Sequence, residues 1–454
     1  MTNTTTLRSA DSLGPDPVPE ETLAEYVDRR LVTNVMMVVP DLQGRLQGKI
    51  FNADVFLERM TGGAEFCGYV LATDVDMGAL DGFDFAGWEQ GFGDLRVRPD
   101  LDTVRLLPHR PLTALVFGTP LHDDGTPVEV APRRVLKAQL QRIRELGYQV
   151  KVGIESEFVL YTDGPSGRTP AWSQNLDYSL QHPPAVQNFF RHLADELRQT
   201  DIVYEAIKTE SAGGQTELTF AYTEALQACD DYALFRMLVR DVADGHGMIP
   251  VFMAAPETGV GSGLHLHLSL WSEHDEPAFV HHQGQETPPA MALATAGLIS
   301  ALPHMAPLYA PTVNSYKRYR PHSFAPTRFN WGFDHRGCAV RVTGHGQGAH
   351  LEVRLAGADA NAYLALAAYT AAMAHGIEEK LTVRPACGGD AYQNRDSIPL
   401  YPDLAEALAY FEHSTVAQLL IGKDVVRHYA SAAQAELDWH RRQVTDLERQ
   451  RGIR

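Results

Sequence analysis

Residues 261–270 read Gly-Ser-Gly-Leu-His-Leu-His-Leu-Ser-Leu, and from Leu264 onward apolar and polar side chains alternate strictly. Successive side chains of a β-strand point to opposite faces, so this alternation predicts a strand with one apolar and one polar face. His265, His267 and Ser269 would share the polar face. A lone histidine on a strand is usually structural, but two that alternate in this way can be aimed at one metal ion or phosphate.

The same alternation occurs in residues 151–160, Lys-Val-Gly-Ile-Glu-Ser-Glu-Phe-Val-Leu. Glu155 and Glu157 would lie on one face of a strand, about 7 Å apart. Two carboxylates in this arrangement repel each other unless a cation lies between them. The alternative interpretation is a strand with one solvated face, which ordinary alternation also produces.

Two further segments carry acidic side chains in informative positions. In residues 350–355, His-Leu-Glu-Val-Arg-Leu, Glu352 and Arg354 would share a strand face, and a cross-strand ion pair explains them as well as a site does. In residues 210–217, Glu-Ser-Ala-Gly-Gly-Gln-Thr-Glu, two glutamates bracket a turn whose glycines allow the backbone to approach a ligand closely.

Together these segments offer five glutamates and one or two histidines. Ligands that are mostly oxygen favour Mg²⁺ or Mn²⁺ over zinc, and two groups of three would suit a two-metal site for phosphoryl transfer. Four arginines are candidates to hold phosphate oxygens, although each could also be an ordinary surface residue: Arg318, Arg336, Arg341 and Arg354. The signatures of P-loop, dinucleotide-binding and nucleophile-elbow proteins do not occur.

The composition excludes some classes of partner. The formal net charge of −18 repels phosphate backbones and anionic lipids, which disfavours binding to nucleic acid or to a membrane surface. The longest apolar stretch, residues 362–374, is too short to span a bilayer. The four cysteines are scattered without a Cys-x-x-Cys pair, so neither a disulfide framework nor a thiolate zinc site is indicated, and a reducing cytoplasm is the expected location.

The chain divides into three predicted parts. Residues 1–20 have no apolar core and are expected to be a disordered leader, residues 21–120 a small domain, and residues 125–454 a large one. Helices are predicted from Leu23 to Leu31 and from Pro132 to Leu146, and a buried strand over 35–39. Loops are expected at 162–175 and 272–289. The segment 404–451 is predicted to be helical, with five residues on inner faces: Val425, Val426, Tyr429, Leu437 and Leu447.

Taken in order, these motifs and Asn-Ser-Tyr-Lys-Arg at 314–318 make the chain resemble the glutamine synthetase family from about Asn34 to its C-terminus. The resemblance implies an α+β fold, with a small N-terminal β-grasp domain and a large glutamine synthetase catalytic domain. In the latter, a guanido-kinase-like antiparallel sheet is packed with helices. It also implies a ring-shaped homo-oligomer, expected to be a dodecamer, whose active sites lie between subunits.

The resemblance also implies roles for individual residues. One Mg²⁺ or Mn²⁺ ion would be held by Glu157, Glu210 and Glu217, and a second by Glu155, His265 and Glu352, with two or three ions per site. The nucleotide ATP would lie near Glu205, His267, Ser269, Arg336 and Arg341. Glutamate would contact Gly261, Arg318 and Arg354. The implied catalytic residues are Asp81, Arg318 and Arg336, and Asp81 would bind the attacking amine from an adjacent subunit.

Three departures from the family pattern concern the amine and the amino acid. Phe324 stands where glutamine synthetases carry a flap glutamate that accepts a proton from ammonium, and an aromatic ring cannot accept that proton. Val260 replaces an asparagine near the amino group of the substrate, and Asp84 replaces a serine. These changes resemble the branch that joins glutamate to larger amines, the γ-glutamylpolyamine and γ-glutamylmonoamine synthetases.

The favoured function is therefore an ATP-dependent ligase that joins the γ-carboxylate of glutamate to an amine through a γ-glutamyl phosphate. A true glutamine synthetase that uses ammonium is the first alternative, and position 324 discriminates between the two. A non-catalytic structural or regulatory relative is the second alternative, although all six implied metal ligands are present. The sequence leaves the identity of the amine open.

Overall fold

The computed structural model of the chain describes residues 20–164, 167–282 and 284–453. The predicted disordered leader, residues 1–20, lies outside the described residues except for Glu20.

An N-terminal sheet follows the first helix. Its strands run in the order β2-β1-β6-β4-β3, with β5 also paired to β6; β1 is antiparallel to β2 and parallel to β6. The predicted buried strand is confirmed, because Val35, Met37 and Val39 are almost fully buried. The elements of this region are α1 (Glu20–Asp28), β1 (Asn34–Pro40), β2 (Leu46–Asn52), α2 (Ala53–Val55), β3 (Ala64–Cys67), β4 (Asp94–Pro99), β5 (Arg105–Leu106) and β6 (Thr113–Leu121).

A second, larger sheet has the order β15-β16-β17-β13-β7-β10-β9, and three short strands also pair with β7. The alternation read from the sequence is confirmed, since the four leucines of β13 and Val152, Ile154 and Phe158 of β7 are fully buried. The strands are β7 (Tyr148–Gly164), β8 (Gly167–Pro170), β9 (Tyr204–Thr209), β10 (Gln215–Phe220), β11 (Thr223–Glu224), β12 (Ile249–Val251), β13 (Leu264–Ser272), β14 (Arg328–Phe329), β15 (Trp331–Phe333), β16 (Val340–Thr343), β17 (His350–Val353) and β18 (Ile398–Pro399).

Helices cover the apolar face of this sheet. The predicted helix at 132–146 is confirmed as α3, with proline in its first turn and Gly147 at a φ of +84° just after its end. The helices are α3 (Pro132–Glu145), α4 (Pro184–Gln199), α5 (Ala225–Gly245), α6 (Pro289–Ala301), α7 (Ala306–Tyr309), α8 (Ala362–Glu378), α9 (Leu404–Glu412), α10 (Thr415–Ile421), α11 (Lys423–Arg442) and α12 (Asp446–Gly452).

The helices α6 and α8 approach each other closely through small residues. A Cβ atom added to Gly297 would lie 2.0 Å from the carbonyl oxygen of Ala372, and one added to Gly376 would lie 2.1 Å from that of Leu293. Only glycine fits at these two positions. The stretch Pro289–Tyr309 is long and apolar enough to cross a membrane, but 72% of its most apolar window is buried inside the protein.

Two local predictions are wrong. The expected loop at 162–175 is partly a hairpin, because β7 continues to Gly164 and pairs with β8. Leu447 was expected on an inner face, yet it is 62% exposed, because α12 packs little of its surface against the body of the protein. The helical character of 404–451 and the loop after Ser272 are confirmed. The predicted domain boundary at 120–125 remains a prediction; β6 ends at Leu121.

Candidate active site

The strand register places the predicted site residues in adjacent rows across one face of the large sheet. In the first row, Lys208 of β9 pairs with Glu217 of β10, which pairs with Glu157 of β7. In the next row, Glu155 pairs with His265 of β13. A third row contains three side chains on neighbouring strands: His267, Glu352 and Arg341. Residues as far apart in the sequence as Glu155 and Glu352 therefore form one continuous polar surface.

Two carboxylates and two imidazoles converge at the centre of these rows. Nδ1 of His265 lies 3.2 Å from Oε2 of Glu155 and 3.6 Å from Oε1 of Glu352. Nε2 of His267 lies 3.1 Å from Oε1 of Glu155 but makes no well-directed hydrogen bond with a described residue. Ligand atoms of Glu155, His267 and Glu352 all lie within 4.8 Å of one another. This donor set fits a divalent cation that accepts oxygen and imidazole ligands.

The two carboxylates of this group are held in their ionised form. Burial alone would raise the pKa of Glu155, but the hydrogen bond with His265 and the close approach of His267 outweigh it and lower that pKa far below its ordinary value. Burial likewise opposes ionisation of Glu352, yet Arg354 and the two histidines lower its pKa to about 2. Burial, together with Arg354, lowers the pKa of His265 to about 4, so its ring is neutral and able to bind a metal.

The second group of glutamates carries more negative charge than its surroundings neutralise. Burial raises the pKa of Glu217 to about 8, and the nearby carboxylates of Glu155, Glu157 and Glu210 add to the effect. Burial and Glu210 also raise the pKa of Glu157. A bound cation would offset the repulsion between such crowded carboxylates and favour their ionised form. The residues present therefore fit a second divalent cation among Glu157, Glu210 and Glu217.

Backbone and amide groups fix Glu157 in place. Its Oε2 accepts hydrogen bonds from the backbone N–H of Gly263 at 2.9 Å and from Nε2 of Gln215 at 3.0 Å. A Cβ at position 263 would lie 2.5 Å from Nε2 of His265 and 2.9 Å from Nη2 of Arg318. The glycine before β13 is thus required for these side chains to pack around the cluster.

Arg318 and Arg354 are both buried beside the carboxylates. Arg354 donates through Nη1 to Glu352, through Nε to the carbonyl of Arg336 at 3.1 Å, and through Nη2 to that of Phe324 at 3.4 Å. Arg318 donates to the carbonyl of Arg354 at 3.1 Å and lies 3.1 Å from Nε2 of His265. The structure thus brings both arginines to the predicted cation site.

The remaining predicted nucleotide contacts lie along the same face or at its edge. Arg341 donates to Glu352 at 2.8 Å and also pairs with Asp334, whereas Arg336 is exposed in the turn before β16. Ser269 accepts a hydrogen bond from Trp271 Nε1 at 2.9 Å. Glu205 is the extra residue of a β-bulge on β9, because Thr219 and Phe220 pair with Ala206 and Tyr204. Bulges redirect side chains, and Glu205 is exposed.

Known proteins resemble this chain in sequence. Residues 129–452 match the family described as glutamine synthetase, catalytic domain. The chain belongs to the glutamine synthetase family. Gamma-glutamylethanolamide synthetase of Streptomyces coelicolor is 39% identical to it over 446 residues, which are 96% of this chain and 96% of that protein. Glutamate–isopropylamine ligase of a Pseudomonas species is 30% identical over 89% of this chain and 92% of its own length.

A solved structure described as a complex of GmaS with ADP has the same fold. It superposes with a TM-score of 0.83 at 26% identity, covering 95% of this chain and 99% of that one. The expected α+β glutamine synthetase fold, the family and its γ-glutamyl amine ligase branch are therefore confirmed, and the chain is an enzyme of that ligase class.

The departures from the glutamine synthetase pattern lie at the edge of the site. Phe324 is 68% exposed and has a φ of +60°, a conformation that bulky residues rarely adopt. The carbonyl of Phe324 accepts a hydrogen bond from Arg354, and Arg354 also donates to Glu352 of the carboxylate cluster. Val260 is half-buried next to Gly261, whose added Cβ would lie 3.2 Å from Cγ of Arg318.

Asp81 and Asp84 are not brought to the carboxylates of their own chain. Asp84 pairs with Arg427 of α11, and Asp81 is exposed at a cavity of about 1360 Å³ between the N-terminal sheet and the C-terminal helices. Within the described residues, no contact joins either aspartate to the cluster on the large sheet. A role in a glutamine synthetase site would have to be in that of another subunit, as the sequence predicts.

Sequence reasoning missed several residues of this glutamine synthetase site. Lys208 forms an ion pair with Glu210, and Nε2 of His350 lies 3.0 Å from Nδ1 of His267. Nζ of Lys151 lies 3.9 Å from the ring centre of Trp271, which stacks on Tyr222. The available signal in the sequence was that these residues alternate with apolar neighbours. Lys208 and Lys151 share strand faces with the predicted glutamates.

Proposed function

We propose that this ligase uses a small primary alkylamine or amino alcohol as its acceptor, with ethanolamine as the first candidate, and glutamate as its acyl donor. The observation that carries the proposal is the combination of a complete carboxylate and histidine cluster with an exposed phenylalanine, Phe324, at the flap. The similarity to a gamma-glutamylethanolamide synthetase supports the same class of acceptor.

The reaction requires an activated carboxylate. Transfer of the γ-phosphoryl group of ATP to the γ-carboxylate of glutamate gives ADP and a γ-glutamyl phosphate. The amine nitrogen then forms the C–N bond, phosphate leaves, and the amine loses a proton. The divalent cations, when bound, supply charge neutralisation between the two anions.

The chain's own residues hold these groups in place. Arg318 and Arg354, buried next to the cluster, hold the carboxylates of glutamate, and Arg341 and Arg336 face the phosphates. Two groups of three ligands hold the cations, namely Glu157, Glu210 and Glu217, and Glu155, Glu352 and one of the histidines, His265 or His267. Glu205 and Ser269 border the nucleotide.

Phe324 gives the acceptor side its selectivity. A flap carboxylate would attract ammonium and accept its proton, and this aromatic side chain does neither. Its ring instead offers apolar contact to the carbon atoms of an alkylamine. The acceptor amine enters in its protonated, cationic form and is bound by Asp81 of an adjacent subunit. The subunits form a ring-shaped oligomer, which is located in the cytoplasm. That aspartate lowers the cost of deprotonating the amine next to the acyl phosphate.

A panel assay tests the acceptor. Phosphate release is measured with glutamate, ATP and Mg²⁺ and with ammonium, ethanolamine, isopropylamine or putrescine. We expect kcat/KM to be highest for ethanolamine or a short alkylamine. The variant Phe324→Glu should raise the use of ammonium relative to ethanolamine by at least about 10-fold, whereas the matched apolar control Phe324→Leu should not. A preference of the unaltered enzyme for ammonium would instead identify a glutamine synthetase.

Mixing two inactive variants tests the shared site. Asp81→Ala removes the predicted amine ligand, and Glu155→Gln removes a cation ligand of the other half-site. If each site combines residues of two subunits, a mixed oligomer contains some sites with both native halves and regains activity, up to roughly a quarter of that of the unaltered enzyme. Failure of the refolded or co-expressed mixture to regain activity, with both variants present in one oligomer, would refute the shared site.

A further inference from the structure

A second group of metal-binding side chains lies outside the carboxylate cluster. Ligand atoms of His335, Cys338 and Cys387 all lie within 4.8 Å of one another. Both cysteines are buried, at 0% and 8% exposure, and the histidine is half-buried. Two thiols and an imidazole are soft donors, unlike the carboxylates of the catalytic cluster, and this set is typical of zinc rather than magnesium sites.

The backbone holds the three donors before any ion arrives. The N–H of Cys338 donates to the carbonyl of His335 at 3.1 Å, which closes a turn with histidine and cysteine three positions apart. The N–H of Cys387 donates to the carbonyl of Trp331 at 2.7 Å, so β15 fixes the third donor. Two donors from one turn and one from a distant segment is a common construction for zinc sites.

The imidazole of His335 is oriented by a carbonyl group. Its Nε2 lies 2.7 Å from the carbonyl oxygen of Gly389, which assigns the proton to Nε2 and leaves the lone pair on Nδ1. A carbonyl partner on the outer nitrogen is the usual arrangement around a metal-bound histidine. Nδ1 accepts a long hydrogen bond of 3.2 Å from the N–H of Gly337, which a bound ion would replace.

Glycines leave space around the three donors. A Cβ added to Gly332 would lie 3.0 Å from Cβ of His335 and 3.3 Å from Sγ of Cys338. One added to Gly337 would lie 3.2 Å from Cε1 of His335. We infer that His335, Cys338 and Cys387 bind one zinc ion, with solvent as the fourth ligand, separately from the catalytic cations.

The location suggests what the ion does. Arg336 lies between two residues of the turn, and its carbonyl accepts the hydrogen bond from Nε of Arg354 at 3.1 Å. An ion that ties this turn to Cys387 therefore restrains Arg336, which we placed at the phosphates of ATP. Arg336 acts on the nucleotide directly, whereas the three ligands are positioning residues.

Cobalt spectroscopy tests the site on the unaltered full-length protein. The reduced chain is freed of metal and titrated with Co²⁺ in the presence of excess Mg²⁺. We expect one equivalent of thiolate-to-cobalt charge-transfer absorption that Zn²⁺ displaces, because the carboxylate cluster has no thiolate to give this band. Absence of the band, or Co²⁺ bound without it, overturns the inference. So does finding that the two thiols remain bridged as a disulfide under reducing conditions.

Variants identify the ligands. Cys387→Ser should weaken Zn²⁺ binding at least about 10-fold and raise KM for ATP more than it lowers kcat. The matched control Cys67→Ser, in β3 of the N-terminal sheet, should change neither. Equal zinc affinity in Cys387→Ser and the unaltered protein would contradict the assignment. The zinc affinity is measured without substrates, so this result is independent of the acceptor amine.

Discussion

Glu217 of β10 stands directly opposite Glu157 of β7, so two carboxylates face each other across a pair of neighbouring strands. Like charges in this position destabilise a sheet. Burial raises the pKa of both groups, and the neighbouring carboxylates raise it further. Lys208 stands opposite Glu217 on its other side, and the next row of the site carries His265.

The stability of the cation-free chain should fall as the pH rises toward 8. The pKa of Glu217 is raised to about 8 from an ordinary value of 4.5, so between these values the folded chain holds a proton that the unfolded chain has lost. Raising the pH through this window therefore favours unfolding. The free energy of unfolding in urea, with a chelator present, should drop between about pH 6.5 and pH 8.5.

The substitution Glu217→Gln removes this titration. The stability of the Glu217→Gln variant should fall less than that of the unaltered chain over the same pH interval. Asp231, whose pKa burial raises to about 7, titrates in both proteins and cancels in the comparison. Identical pH slopes in the two proteins would show that Glu217 ionises normally.

Glu155→Gln should weaken cation binding at the centre of the site. Glu155 contacts both His265 and His267, and an amide offers a cation one weaker oxygen donor. We expect Mn²⁺ affinity, measured by electron paramagnetic resonance, to fall at least about 10-fold and activity to fall with it. The exposed helical glutamate in Glu145→Gln is the control and should keep both; unchanged Mn²⁺ binding in Glu155→Gln would reject the ligand assignment.

The variant Phe324→Gly should be more stable than the variant Phe324→Ala. Phe324 has a φ of +60°, which costs an L-residue about 1 kcal/mol relative to glycine. Because its side chain is 68% exposed, both truncations lose little packing. The free energy of unfolding of Phe324→Gly should therefore be about 1 kcal/mol larger than that of Phe324→Ala. Equal stabilities by urea denaturation would mean that the flap relaxes to a different backbone conformation.

Gly297→Ala should destabilise the contact between α6 and α8. The new methyl group would lie 2.0 Å from the carbonyl oxygen of Ala372, so the helices must separate, at a cost of about 1–3 kcal/mol or more. Gly245→Ala is the control: it adds a methyl group to the end of α5 in open space and should stabilise the chain slightly. Thermal unfolding compares the two variants, and a neutral Gly297→Ala would contradict the tight helix contact.

The sequence predicted which side chains share a strand face, because a period of two is a local property. It could not predict which faces meet. His267 and Glu352 pair although they are 85 positions apart, and Lys208 reaches Glu217 only through the register of β9 with β10. Register between distant strands depends on the packing of the whole sheet.

The same limit explains the residues that reasoning from motifs did not find. The absence of a Cys-x-x-Cys pair argued against a thiolate site, yet Cys338 and Cys387 meet because β15 holds the second beside the turn that carries the first. The sequence predicts a loop where β8 pairs with β7, since glycine and proline there suggest irregular structure as readily as a strand end.

The arginines around Glu352 imply that its ligands bind cooperatively. In the structure Arg341 and Arg354 both form ion pairs with this buried carboxylate. A cation bound at Glu352 would neutralise this carboxylate and so leave the guanidinium groups of Arg341 and Arg354 available to anions. Anions that engage the arginines in turn leave Glu352 free for the cation. Linkage of this kind is reciprocal, so binding of each type of ligand would strengthen binding of the other.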